Sequence, residues 1–300
     1  MQWGATSRLQ RFWDLRAACN FIGGGTGSSL LVWAPLGLTT GIPYFPTAIL
    51  GLALVSFGLF MVWLEIGKPW RAFNVFFRPQ TSWMTREGIV AVPLFALGTL
   101  AILFDAPLQT LWTMPSPIVP AMLAALVGLA FLYCQLRILN SARGLPAWRE
   151  PRAMLLIGLS GLGEGLGLYL LLAAILGFVP MNILALALAL LLGRVLAWRS
   201  YIVALRRTTV PDSTLTALTT MQGGFLLIGH LLPSLLIVIA VTWTGMATTF
   251  SALAGITATL AGWWLKIVLV TRAAYIPGAA IPNLPVRGQP DPTTGTQRTI

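Results

Sequence analysis

The residues best suited to chemistry in this 300-residue chain are a few polar side chains within or beside long apolar runs. Asn20 and the single histidine, His230, each interrupt such a run and can donate hydrogen bonds. Asp14 and Glu65 stand at the ends of runs, where a carboxyl group can exchange protons with water. Asn20 and His230 are therefore our candidates for binding the polar head of a ligand, with Asp14 and Glu65 as candidates for proton transfer.

Two further charges fall well inside apolar runs, and a charge in a hydrocarbon layer needs a partner or a purpose. Glu164 lies about 15 Å from one end of the fifth run, at roughly 1.5 Å per residue. Arg194 reaches a comparable depth in the sixth run. We therefore expect a buried Glu164–Arg194 ion pair that neutralises both side chains.

The elements that must position these residues are helices that cross a membrane. Only 9% of the residues are charged and 57% are hydrophobic, whereas a soluble domain has about 25% charged residues. A span needs roughly 20 apolar residues. The predicted fold class is an all-α integral membrane protein with eight transmembrane helices. The predicted spans lie near residues 17–39, 46–66, 88–106, 117–138, 153–178, 180–204, 221–243 and 247–271.

These spans form one predicted domain over residues 1–276, and a proline-rich, irregular cytoplasmic tail follows over residues 277–300. All 19 lysines and arginines can be placed on one side of the membrane, because basic groups alternate with pairs of apolar runs. Basic loops stay in the cytoplasm, so we predict that the N- and C-termini are cytoplasmic. The net charge of +11 then reflects loops beside anionic membrane lipid, and nucleic acid is not an expected partner.

The cysteine and histidine content argues against a metal centre in the chain. Two cysteines are too few for an iron–sulfur cluster, which takes about four. One histidine cannot supply the histidine pair that usually holds a membrane b-type haem, so we predict neither haem nor metal. The polar residues are confined to the predicted cytoplasmic half, which favours a pocket for an apolar ligand with a polar head, such as a quinone. A transporter would need polar groups along a path to both faces.

The connection between the second and third spans interleaves arginines with aromatic residues, a composition that suits the headgroup layer. Its sequence, Glu65-Ile66-Gly67-Lys68-Pro69-Trp70-Arg71 and then Arg78-Pro79-Gln80-Thr81-Ser82-Trp83-Met84-Thr85-Arg86, resembles the signature of NrfD/DmsC-type membrane subunits. In that family an acidic residue, Gly and basic-Pro precede an Arg, and Pro, Ser-Trp-Met and Arg follow. The glycine-rich first span and the loop with Arg143, Leu145-Pro146 and Trp148 match too, so the resemblance covers nearly the whole chain.

The resemblance implies the membrane anchor of a complex iron–sulfur molybdoenzyme in the bacterial cytoplasmic (inner) membrane. Such a subunit would pass electrons between a ferredoxin-like iron–sulfur subunit and a quinone (menaquinone or ubiquinone), and a molybdopterin catalytic subunit would be the second partner. The resemblance also makes the connecting loop the expected docking interface, through Arg71, Arg78, Trp83 and Arg86. In polysulfide-reductase-like members an Asn or His of the first span contacts the quinone headgroup, and Asn20 could fill that place.

Within the family, the opening from Trp13 to Gly27 resembles most the membrane subunits of phenylacetyl-CoA:acceptor oxidoreductases. Three alternatives stay open at this point. The chain could anchor a different reductase of the family, acting on sulfur compounds or of the DMSO type. It could be a purely structural anchor that binds no quinone, or a secondary transporter that binds a solute without redox partners.

Overall fold

The computed structural model describes residues 7–66, 69–105, 115–179 and 181–278. Within these residues, eight helical spans are long and apolar enough to cross a membrane, which confirms the predicted fold class. We number them 1 to 8 in chain order: Leu15–Thr40, Tyr44–Glu65, Trp83–Leu103, Ile118–Asn140, Pro151–Ile175, Met181–Arg207, Asp212–Thr242 and Thr244–Thr271.

Some spans are built from more than one helical segment. Span 1 consists of the helices Leu15–Trp33 and Leu36–Thr40. Span 7 contains a π-helix, Leu227–Leu231, between the α-helices Asp212–Leu226 and Leu232–Thr242. In span 8, the 3₁₀ turn Thr244–Met246 precedes the α-helix Ala247–Thr271. Two short helices lie in connections: the 3₁₀-helix Pro69–Phe77 and the α-helix Pro146–Arg149.

Two spans begin well before their predicted apolar runs. Span 3 begins at Trp83 instead of residue 88, and span 7 begins at Asp212 instead of residue 221. The start of span 3 is set by a cap, because the Ser82 hydroxyl accepts a hydrogen bond from the Thr85 backbone N–H at 3.2 Å. A cap depends on local hydrogen bonding and not on hydrophobicity, so the helix includes a polar first turn. This extension brings Glu87 into span 3.

Successive spans run in opposite directions, so odd spans begin and even spans end at one end of the bundle, which we call the basic face. At this face Arg16 of span 1 donates to the Leu64 carbonyl near the end of span 2, at 3.1 Å. Likewise, Thr214 of span 7 donates to the Ala273 carbonyl just beyond span 8, at 3.0 Å. The assignment of this face to the cytoplasm stays a prediction.

Span 1 lies at the centre of the bundle, where it packs against spans 2, 4, 5 and 8. Within the most apolar 18-residue stretch of span 1, 78% of the residues are buried inside the protein, whereas the share is 28% for the corresponding stretches of spans 2 and 3. Spans 2 and 3 therefore form the side of the bundle most available to lipid. Spans 5 to 8 pack mainly among themselves and contact spans 1 to 4 chiefly through span 1.

Glycines allow the backbones of the central helices to approach closely. A Cβ atom at Gly58 of span 2 would lie 2.7 Å from the Gly24 nitrogen of span 1. One at Gly165 of span 5 would lie 2.5 Å from the Leu30 nitrogen of span 1, and one at Gly167 would lie 2.6 Å from the Gly255 carbonyl oxygen of span 8. Small residues permit such contacts where lipid supplies no hydrophobic driving force.

The segments outside the first and last spans pair with each other. The strands Arg8–Leu9 and Tyr275–Ile276 are antiparallel, with Arg8 opposite Ile276. Beside them Trp148 is buried, stacks on Trp13 with ring centroids 4.9 Å apart, and donates to the Leu269 carbonyl at 2.9 Å. The Trp148 ring is therefore part of the packed interior of the bundle. Residues 279–300 of the predicted tail lie outside the described part of the chain.

Candidate functional site

Three buried polar side chains from three spans form a cluster near the basic face, which we call the amide–carboxyl cluster: Asn20, Glu87 and Gln135. Gln135 of span 4 donates from Nε2 to the Asn20 carbonyl of span 1 at 3.0 Å. The Glu87 carboxyl of span 3 interacts with the side chains of both amides. Each residue lies four or five positions from the end of its span, which is about 6–8 Å at 1.5 Å per residue.

Two buried oxygen atoms of the cluster, Asn20 Oδ1 and Glu87 Oε1, have no hydrogen-bond partner. Most buried polar atoms in proteins have a hydrogen-bond partner. Two neighbouring oxygens without one therefore suggest that this cluster binds a ligand. An amide can both donate and accept, and a carboxyl group donates when protonated and accepts when ionised. The cluster can therefore bind a head that accepts hydrogen bonds in one redox state and donates them in the other.

Asp14 and Glu65 lie at the basic face beside this cluster. Asp14 caps span 1, and its carboxylate forms an ion pair with Arg16 at 2.8 Å. The hydrogen bond from Arg16 holds the pKa of Asp14 below its usual value. Glu65 Oε1 is buried without a hydrogen-bond partner. Gly58, which contacts Asn20, is two helical turns from Glu65 on the same face of span 2, about 10 Å away.

The predicted Glu164–Arg194 ion pair is wrong. Glu164 Oε2 instead accepts hydrogen bonds from Lys266 Nζ at 2.6 Å and from the Thr26 hydroxyl at 2.5 Å. Lys266 also donates to the Phe21 carbonyl of span 1 at 2.9 Å. Glu164 and Lys266 are fully buried. Span 5 packs closely against spans 1 and 8, and this turns Glu164 toward them and away from direct contact with Arg194 of span 6.

Arg194 makes its hydrogen bonds to spans 7 and 8 and to no carboxylate. Its guanidinium donates to His230 Nε2 at 2.9 Å, to the Ala258 carbonyl at 3.0 Å and to the Gly229 carbonyl at 2.6 Å. Pro233 has no N–H, so it cannot donate to the Gly229 carbonyl four residues earlier. The π-helix in this part of span 7 accompanies the arrangement, as such bulges often do at specialised sites.

His230 shares no hydrogen bond with the amide–carboxyl cluster, and both of its ring nitrogens already have partners. Arginine can only donate, so His230 Nε2 is the acceptor and Nδ1 carries the proton. Nδ1 then donates to the Phe225 carbonyl at 2.9 Å. The structure therefore does not join Asn20 and His230, our two candidate head-binding residues, in one cluster. The ring nitrogens of His230 are used to accept from Arg194 and to donate to the Phe225 carbonyl.

The four residues expected to dock a partner divide into two kinds. Two guanidinium groups lie over the Trp83 ring, with that of Arg86 4.0 Å and that of Arg137 4.7 Å from its centroid. Arg86 also donates to the Pro79 carbonyl at 2.7 Å. Trp83 and Arg86 thus stabilise the start of span 3, whereas Arg71 and Arg78 are exposed.

Sequence reasoning missed Glu87 and Gln135 as site residues. Glu87 lies one position before the predicted start of the third span, so it counted as part of a loop. Gln135 carried a usable signal, because it is an amide inside a predicted apolar span. Lys266 is visible in the sequence as a charge near the end of span 8, but its position along the chain does not show that its long side chain reaches inward to Glu164.

The fold and the cluster define a multi-pass helical membrane protein with a buried polar site near one face. Residues 45–162 match the family model of the DMSO reductase anchor subunit (DmsC). This match supports a DmsC/NrfD-type molybdoenzyme membrane anchor and confirms the family resemblance over these residues. It does not reach the opening from Trp13 to Gly27, so the resemblance to phenylacetyl-CoA:acceptor oxidoreductases stays a prediction. The matched residues include Glu87 and Gln135 and end just before Glu164. None of the curated proteins compared with the chain matches it.

Proposed function

We propose that this membrane anchor binds a quinone at the amide–carboxyl cluster and passes electrons between it and an iron–sulfur subunit docked on the basic face. The observation that carries the proposal is the pair of buried, unpartnered oxygens on Asn20 and Glu87. A quinone head offers two carbonyl acceptors, and a quinol offers two hydroxyl donors. The amides and the titratable carboxyl group can satisfy both forms.

Reduction of a quinone takes up two electrons and two protons, so a titratable group must lie between the head and water. Glu87 is the group in the cluster that can hold a proton, and Glu65 stands nearer the basic face along span 2. Asp14 is a less suitable donor, because Arg16 favours its ionised form. We propose the order Glu65 then Glu87 for proton transfer from the basic face.

The proposed partners follow from the family. DMSO reductase-type anchors associate with a molybdenum catalytic subunit and an iron–sulfur subunit, so we propose subunits of these kinds here. The cluster lies within about two helical turns of the basic face, so a quinone bound there would be close to a subunit docked on that face. A phenylacetyl-CoA-oxidising partner and a bacterial inner membrane stay proposals from sequence resemblance.

The test uses the complex as purified, with Asn20→Leu and Glu87→Gln in this chain and Glu150→Gln as a carboxylate-to-amide control outside the cluster. Both cluster variants should lose at least tenfold of quinone-dependent turnover, since losing one transition-state interaction worth about 1.4 kcal/mol costs that factor. Turnover with a soluble artificial acceptor should be unchanged, and the Glu150 variant should behave as wild type.

Loss of both activities in a cluster variant would indicate defective assembly, and loss of neither would remove that residue from the site. His230→Leu provides a second comparison. Because His230 supports Arg194, this variant should lower the stability of the chain without a selective loss of the quinone reaction. A selective loss of quinone-dependent turnover in His230→Leu would instead support the sequence-based prediction that His230 binds the quinone.

A further inference from the structure

The 3₁₀-helix Pro69–Phe77 presents a stripe of aromatic side chains that stays largely exposed in the described chain, although Phe76 at one end of it packs against span 3. A 3₁₀-helix has three residues per turn, so Trp70, Phe73 and Phe76 lie on one face. Their exposed fractions are 85%, 66% and 42%. We call these three residues the aromatic stripe. Exposed aromatic surface of this extent in one short segment indicates an interaction site.

The position of the segment indicates which surroundings the stripe meets. It packs against spans 2 and 3, the most lipid-exposed spans, and so lies beside the bundle. A Cβ atom at Gly88 of span 3 would lie 3.4 Å from Val75 and 3.5 Å from Phe76. Gly88 is five residues beyond Trp83, about 7.5 Å along the axis of span 3. Amphipathic elements in a membrane interface sit about 5–10 Å deep, so the depth fits.

The charges of the segment indicate the kind of lipid. Arg71 and Arg78 flank the stripe and are exposed, and no acidic residue occurs from Pro69 to Arg86. A basic residue near an anionic bilayer surface contributes about 1 kcal/mol, or roughly fivefold in association. Aromatic rings with arginines are typical of the headgroup layer of a membrane.

We propose that residues 69–78 form an interfacial foot that inserts the aromatic stripe into the headgroup layer and binds anionic lipid phosphates through Arg71 and Arg78. The foot is independent of quinone binding, because Gly88 faces the foot while its neighbour Glu87 faces the interior. It also assigns Arg71 and Arg78 to lipid, where the sequence alone predicted a docking interface.

The first experiment places an environment-sensitive fluorophore on Phe73→Cys in the full chain in lipid nanodiscs, after Cys19 and Cys134 are replaced by serine. The matched control is Ser141→Cys, an exposed position on the basic face between spans 4 and 5. Lipids with a quencher near the headgroup should quench the Phe73 probe strongly, and aqueous iodide should quench it weakly. The Ser141 probe should show the reverse. A Phe73 probe that responds to iodide like the control would overturn the proposal.

The second experiment compares brominated phosphatidylglycerol with brominated phosphatidylcholine at equal content. Phosphatidylglycerol should quench the Phe73 probe more strongly, and Arg71→Gln with Arg78→Gln should remove a preference of roughly 25-fold in association, fivefold for each arginine. Equal quenching by both lipids refutes the role of the arginines. If the peripheral subunits of the purified complex protect the probe from lipid quenchers, the segment is a docking surface and the foot is refuted.

Discussion

Replacing Lys266 by methionine should strongly destabilise the bundle, because it leaves the Glu164 carboxylate in the protein interior without its cation. Lys266 and Glu164 have exposed fractions of 1% and 0%, and their charged atoms are 2.6 Å apart. Breaking a buried pair in this way costs about 3–5 kcal/mol. At about 1.4 kcal/mol per tenfold, the folded-to-unfolded ratio should fall by roughly 100- to 5,000-fold.

The measurement is unfolding of the purified chain in mixed micelles by increasing detergent denaturant, followed by tryptophan fluorescence. Adding Glu164→Gln to Lys266→Met should recover most of the loss, because glutamine is neutral and can still accept from Thr26. The control is Arg152→Met, which removes the half-exposed guanidinium of a partly exposed pair with Glu150 and should cost about 0–1 kcal/mol. If the stability lost in the Glu164→Gln single variant is recovered by adding Arg194→Met and not by adding Lys266→Met, then Lys266 is not the partner of Glu164 and this account is refuted.

Three further predictions concern packing, a buried hydrogen bond and pH. Gly165→Ala should cost about 1–3 kcal/mol, because its Cβ would meet the span 1 backbone at 2.5 Å, whereas Gly163→Ala, with nothing within 4 Å, should be neutral in the same unfolding titration. Trp148→Phe should cost about 1–3 kcal/mol, measured the same way, because a buried carbonyl of span 8 loses its donor. Asp14→Asn should destabilise the chain slightly at neutral pH, because Arg16 lowers the pKa of Asp14 in the folded state. That stabilisation is present above the unfolded pKa, near pH ~4, and is lost as the pH falls through the lower folded value, so the stabilities of wild type and variant should converge in acid.

The number and order of the spans could be predicted from the sequence, because about 20 apolar residues in a row leave few alternatives to a membrane helix. The family match confirms the resemblance seen in the loop between spans 2 and 3. Glu87 shows where this reasoning stops. Hydrophobicity marks where a helix is apolar, but Ser82 determines where span 3 begins, and the polar first turn holds a site residue.

The partners of the buried charges could not be predicted, because depth along a helix says nothing about its rotation. Adjacent positions on an α-helix point about 100° apart, so Glu164 and Arg194 at similar depths can still face different neighbours. Asn20 was identified correctly as a buried polar residue near the basic face, but its role in quinone binding stays a prediction. The companions Glu87 and Gln135 become apparent once spans 1, 3 and 4 are packed together.

The central position of span 1 has a consequence for how the chain is made. Span 1 leaves the ribosome first, yet it has the lowest mean hydropathy of the eight spans, 1.2. The side chains that bond to its backbone come much later in the chain, with Gln135 donating to Asn20 and Lys266 donating to Phe21. We expect the first span to be held weakly in the membrane until span 8 has been inserted. We therefore expect the centre of the bundle to be completed last, although span 1 is the first of the eight spans to be made.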